Sequence, residues 1–181
     1  MPTRAALVAD VPSIARVHIA SWRTTYRGLM PDEIFPTMSH EGRERQWRAA
    51  INVAGEGRGC VVVADEGEAG IVGFASGGPC RGDWPYAGEL FTIYLAREAQ
   101  GRGLGKGLFR AGAERLAAQG QGSLLLWVLV NNDLARGFYE ALGGVPVGEK
   151  EELIGGVAIR EVAYGWPEMG PLLDRLEGTR R

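Results

Sequence analysis

Apolar positions recur along the chain at spacings that switch between helix and strand. Arg4 to Ala9 reads as a short strand, after which Asp10 can cap a helix with Pro12 in its first turn. Ile14, Val17, His18, Ser21, Trp22 and Thr25 recur at helical spacing until Gly28 and Pro31 end the run. A second helix is expected from about Ser39 to Val53, its EGRERQWR stretch forming a mostly charged exposed face. Cys60 to Ala64 and Ile71 to Ser76 read as two strands reversed at the turn Glu66-Gly67-Glu68-Ala69. Gly77 to Gly88 is punctuated by glycine and proline and reads as a loop, leading into a strand from Glu89 to about Leu95. The spacing then predicts a helix over roughly Gly103 to Gln119. Leu124 to Val130 is apolar throughout, as in a strand covered on both faces. Asn131-Asn132-Asp133 caps a helix from about Leu134 to Leu142, and Gly143-Gly144 stops it. Val145 to Glu151 and Val157 to Trp166 form a closing hairpin around Ile154-Gly155-Gly156. Residues 1–166 therefore read as a single domain and 167–181 as a tail that can hold a short helix.

Composition narrows the class without naming a chemistry. Hydrophobic residues at 45% and charged residues at 23% match ordinary globular usage, while 28 glycines imply many tight turns or close backbone approaches. A net charge of -2 argues against broad attraction to nucleic acid or to an anionic membrane. Cys60 and Cys80 show no metal-ligand spacing and read as buried reduced thiols, so no metal is expected. The N-terminus MPTRAALVADVP lacks the apolar core of a signal peptide, and the longest apolar run falls far short of the roughly 20 residues of a membrane span. A cytoplasmic location is the expectation.

The chemistry begins at AQGRGLGKGLF, where Gly101, Gly103, Gly105 and Gly107 alternate between a strand and a helix. Bare backbone there leaves successive N–H groups uncovered, and the helix adds about half a positive charge at its start, which makes an anion cradle. A Walker A loop fails, because Gln100 stands where glycine is needed and Gly107 where Ser or Thr should follow. A dinucleotide fingerprint fails as well, since Lys106 or Leu108 stands at its third glycine.

The arrangement that fits is Gln100-x-x-Gly103-x-Gly105 directly after the strand ending at Leu95. With Asn132-Asp-Leu-Ala135-Arg-Gly-Phe138-Tyr139-Glu140 and the Gly143-Gly144 pair that follows, the chain resembles the GNAT superfamily of acetyltransferases. One position departs from the pattern: many relatives have proline where this chain has Arg97. The resemblance covers nearly the whole chain and implies an α+β fold, a mixed α/β domain. Its central, mostly antiparallel twisted sheet would have about six or seven strands flanked by about four helices.

The resemblance further implies an N-acetyltransferase that moves the acetyl group of acetyl-CoA to a primary amine of a small molecule or peptide in a ternary complex. Acetyl-CoA would lie along Ile93, Tyr94 and Leu95, with its pyrophosphate on Gly101, Arg102, Gly103, Leu104, Gly105 and Lys106 after Gln100, and with Asn132 nearby. Tyr139 is the implied acid, because a phenol with pKa near 10 can protonate a thiolate whose parent thiol has pKa near 8.5. Asn132 and Tyr139 lie two helical turns apart and share a face. Glu89 is the implied base, acting directly or through a water. A ping-pong route through Cys60 or Cys80 competes, but neither has a histidine nearby in sequence; His18 and His40 are the two in the chain. Trp22 and Tyr26, ahead of Asp32 and Glu33, lie where the resembled family places one wall of the acceptor groove. The last hairpin and tail offer a surface for a homodimer. The alternative reading is a CoA-binding sensor or docking module without turnover.

Overall fold

The computed structural model describes residues 3–25, 39–154 and 157–178. Among these residues seven strands form one sheet: β1 (Thr3–Ala5), β2 (Cys60–Asp65), β3 (Ile71–Pro79), β4 (Gly88–Leu95), β5 (Leu124–Leu129), β6 (Val145–Ile154) and β7 (Val157–Trp166). Their order is β1-β2-β3-β4-β5-β7-β6, and only the β4–β5 pair is parallel. Among the described residues the α-helices are α1 (Val11–Thr25), α2 (His40–Gly55), α3 (Leu104–Ala118), α4 (Asp133–Ala141) and α5 (Met169–Glu177).

Both faces of the sheet are covered, which explains the unbroken apolar run in β2. Val61 and Val63 pack with Ile14, Trp47 and Ile51 of α1 and α2. Val62 and Ala64 pack with Leu104 and Leu108 of α3 on the other face. Among the described residues, no helix is long and apolar enough to cross a membrane.

Two sequence expectations need adjustment, and the short helix allowed for in the tail is present and packed. Asp10 does not cap α1; it closes a single 3-10 turn (Val8–Asp10), where its carboxylate accepts the Leu7 N–H at 2.7 Å and pairs with Arg4. β3 runs on to Pro79, because Gly77, Gly78 and Pro79 still pair with Leu90, Glu89 and Gly88. The segment after Trp166 forms α5, whose Met169, Leu172 and Leu176 enter the same core as Leu124 and Tyr164.

Candidate active site

The glycine-rich turn follows a single 3-10 turn, Arg97–Ala99, anchored by the fully buried Ala99. Gly101 and Gly103 have φ of 72° and 80°, a conformation that costs a residue with a Cβ about 1–2 kcal/mol. Gly103 is the N-cap of α3 and has no side chain to bond its first turn. The first backbone bond into the helix runs from Gly107 N–H to the Gly103 carbonyl at 3.2 Å, leaving the N–H groups of Leu104, Gly105 and Lys106 without intrahelical acceptors. Gly105 and Gly107 are helical, so two of the four alternating glycines shape the turn. Arg102 forks onto Glu66 at 2.6 and 3.1 Å, Gln100 Nε2 donates to the Leu95 carbonyl at 3.3 Å, and Leu104 is buried. Lys106, half-buried in the first turn, has no carboxylate partner among the described residues. Arg97 is exposed on the turn before the cradle.

Beside the cradle the sheet opens. β4 and β5 pair only where Gly88, Glu89 and Leu90 meet Leu124, Leu125 and Leu126. Beyond that point β4 stays paired with β3 to Leu95 and β5 with β7 to Leu129, so the two facing edges diverge. A β-bulge accompanies the divergence: Ser76 pairs with Thr92 and Gly77 with Leu90, leaving Phe91 as the extra residue. Bulges bend and twist the strand that carries them. Here the bulge also changes which face each side chain takes. Leu90, Ile93 and Leu95 pack on the α3 side, whereas Tyr94 packs on the α1–α2 side against Phe74.

The resulting cleft is lined by the diverging strands and by Asn132, Ala135 and Tyr139 of α4. Asn132 caps α4 by accepting the Ala135 N–H at 3.2 Å, which orients the helix so that Tyr139 also lines the cleft. Tyr139 is nearly buried, its ring centroid 5.3 Å from Phe138 and 6.1 Å from Tyr164.

On the opposite face, α1, α2, the loop after β3 and the β6–β7 hairpin surround a groove of about 620 Å³, within the roughly 300–1,000 Å³ usual for small-molecule sites. Trp22 stands in its wall and donates from Nε1 to the Tyr94 hydroxyl at 3.0 Å. Tyr26, Asp32 and Glu33 lie outside the described residues. Glu89 lines the groove at 1% exposure, and both its oxygens accept from Arg81: the backbone N–H at 3.0 Å, Nε at 3.2 Å and Nη2 at 2.5 Å.

A glycine cradle at the start of a helix and a parted sheet beside it describe a fold, and comparison with known proteins gives the family. Residues 20–144 match the family model described as Acetyltransferase (GNAT) family. The chain belongs to the GNAT acetyltransferases. It is 36% identical over 170 residues to the uncharacterized N-acetyltransferase YuaI of Bacillus subtilis (strain 168), covering 93% of this chain and 94% of that one. It is 33% identical over 138 residues to the mycothiol acetyltransferase of Rhodococcus opacus (strain B4), a match spanning 75% of this chain but 42% of that longer protein. The fold matches the PaiA N-acetyltransferase of Thermoplasma acidophilum, solved in complex with coenzyme A, with a TM-score of 0.70 at 20% identity over 91% of this chain and 98% of that one.

This GNAT protein is an acetyl-CoA-dependent acetyltransferase, and its own residues fit that co-substrate. Undonated N–H groups and Lys106 suit a pyrophosphate, and the open strand edges offer backbone groups to an extended, amide-bearing chain. The cysteines have other surroundings. Burial pushes the Cys60 thiol up to about 11 and also raises Cys80, so neither is activated as a nucleophile. Cys60 is buried as expected, but Cys80 is only partly so. His18 is buried and accepts from Trp47 Nε1 at 3.0 Å; His40 is exposed at the start of α2.

Sequence reasoning missed Glu161, Lys150, Arg81 and Trp127, all of which line the groove of the acetyltransferase. Glu161 and Lys150 arrive from β7 and β6 by antiparallel pairing with each other, and β7 carries them next to Leu129 of β5. Glu161 is hinted at by the charge within the mostly apolar β7, whereas Lys150 stands in the charged run Glu149-Lys150-Glu151-Glu152 of β6 and is not singled out.

Proposed function

We propose that the protein transfers the acetyl group of acetyl-CoA to the primary amine of a small molecule or peptide by direct attack with both substrates bound. One observation carries the reading: Phe91, Thr92, Tyr94, Trp127, Leu129 and Glu161 line both the cleft and the groove. Two molecules entering from opposite faces of the sheet would meet where the strands part, which supplies the proximity that acyl transfer needs.

Acetyl-CoA supplies an activated thioester carbonyl. The N–H groups from Gly101 to Lys106 take the phosphate charge, and the unpaired edge of β4 offers an N–H to polarise a carbonyl without any side chain. Ile93, Tyr94 and Leu95 form the wall beside it. Asn132 uses its Oδ1 for the helix cap and keeps its side-chain N–H groups for the donor. Tyr139 gives a proton to the departing sulfur. Trp22 flanks the acceptor. Glu89 takes the acceptor's proton through a water, because Arg81 already engages both carboxylate oxygens.

A second assignment of the base is supported by position. Glu161 lines both openings and is bonded by Lys150 at 3.1 Å, leaving its carboxylate less enclosed than that of Glu89. Initial-rate kinetics with acetyl-CoA and an amine panel test the transfer itself: intersecting lines are expected, parallel lines would indicate an acyl-enzyme, and CoA binding without turnover would favour the sensor reading. The pH profile of kcat/KM then separates the carboxylates. Glu89→Gln should cost at least about tenfold and abolish the acid limb; if Glu161→Gln does so instead, the base is Glu161.

A further inference from the structure

The groove contains three cationic and three anionic side chains among the described residues: Arg43, Arg81 and Lys150, with Glu89, Glu152 and Glu161. Arg81 is paired with Glu89. Lys150 is shared between Glu152 and Glu161, each at 3.1 Å. Arg43 is therefore left over. It has no carboxylate within ion-pair distance among the described residues, and its Nη1 donates to Gln46 Oε1 at 2.7 Å. Its guanidinium lies 5.9 Å from the centroid of the Trp22 ring.

The charges are thus separated along the groove. The hairpin end, with one lysine between two glutamates, has a net negative charge, and the α2 end has a guanidinium with no carboxylate partner among the described residues. His18 beside Trp22 adds nothing to the positive end, because burial and the Arg43 charge push it down to about 3 and leave it neutral. A guanidinium withdrawn from water without an anionic partner is costly, and a planar fork of donors suits a carboxylate. Trp22 lies within cation–π range of that fork, which favours its position in the groove and limits the entropy lost when an anion binds.

We infer that the acceptor is an amine that also bears a carboxylate, an amino acid or amino-acid analogue, with its carboxylate bound by Arg43 and its ammonium drawn to the Glu161 end. This rests on the transfer reaction proposed above and deepens it by naming the acceptor class. The complementarity comes from two separated charges rather than from one pocket, so a simple monoamine would satisfy one end and leave Arg43 unmatched.

The test compares free L-amino acids with their C-terminal carboxamides, which keep the amine and remove the anion. The acids should have at least tenfold higher kcat/KM. Arg43→Gln should reduce that acid-to-amide ratio at least tenfold, with Arg43→Lys intermediate because it keeps charge but loses the fork, while titrated acetyl-CoA affinity stays within twofold for both. Equal use of acids and amides by the wild-type enzyme, or an unchanged ratio in Arg43→Gln, would overturn the inference. Thermal shift with the same acids and amides reads the site independently of turnover. Acids should raise the melting temperature of the wild type and not of Arg43→Gln; if no acid does so in a protein that turns over simple amines, the acceptor class is wrong while transfer stands. If acids bind through Arg43 but no amine is acetylated, the transfer reading fails and the Arg43 site remains.

Discussion

Tyr139 and His18 are both buried aromatic residues, and their surroundings differ. Tyr139 reaches the cleft from a helix whose start is set by the Asn132 cap. Tyr139→Phe should lower kcat at least about tenfold while the KM for acetyl-CoA stays within twofold; unchanged turnover in stopped-time assays would remove it from the acid role. His18 serves the fold, between Trp47, Phe74 and Tyr94. The folded protein refuses it a proton until about pH 3, whereas the unfolded chain accepts one below about 6.5. Stability should therefore be flat above pH 6.5 and fall as the pH drops below it, by at most about 1.4 kcal/mol per unit. Urea midpoints at pH 7 and pH 5 should separate more for wild type than for His18→Gln, and equal separations would contradict this assignment.

Elements bring these residues together through two departures from regular structure, the turn before α3 and the bulge in β4. Gly103→Val would place a Cβ at a φ of 80° and a branched side chain over the N–H groups of the first turn. Coenzyme A affinity by titration calorimetry should fall at least tenfold, about 1.4 kcal/mol, and retained affinity would show that the phosphates bind elsewhere. The cradle was legible in the sequence because its positive-φ requirement writes glycine directly into the chain. Helices α2, α3 and α4 were legible from their apolar spacing, and Asn132 serves as the cap expected at the start of α4; Ser39, read only as the start of α2, is its cap. The bulge at Phe91 was not, since an extra residue in a strand leaves the alternation ambiguous until the partner strand fixes the register. Tyr94, grouped with Ile93 and Leu95 in the sequence, packs on the other face by ordinary strand alternation. Glu161 and Lys150 were illegible because their place in the groove depends on long-range pairing across β5, β7 and β6.

At the scale of the whole molecule, the sheet is held closed at one end and allowed to part at the other. Tyr164 and Trp166 of β7, Leu124 of β5 and Met169, Leu172 and Leu176 of α5 share one core, near where β4 and β5 still pair. Leu172→Ala should destabilise the protein by about 2–5 kcal/mol through the cavity it leaves; a denaturation midpoint like that of wild type would show α5 to be dispensable. The parting above that core is the feature on which the functional account depends. A crystal structure of the acetyl-CoA complex tests it most directly. The account predicts pyrophosphate oxygens on the N–H groups between Gly101 and Lys106, the pantetheine chain between β4 and β5, and the thioester beside Tyr139. Acetyl-CoA bound on any other surface, with the gap between β4 and β5 empty, would contradict it.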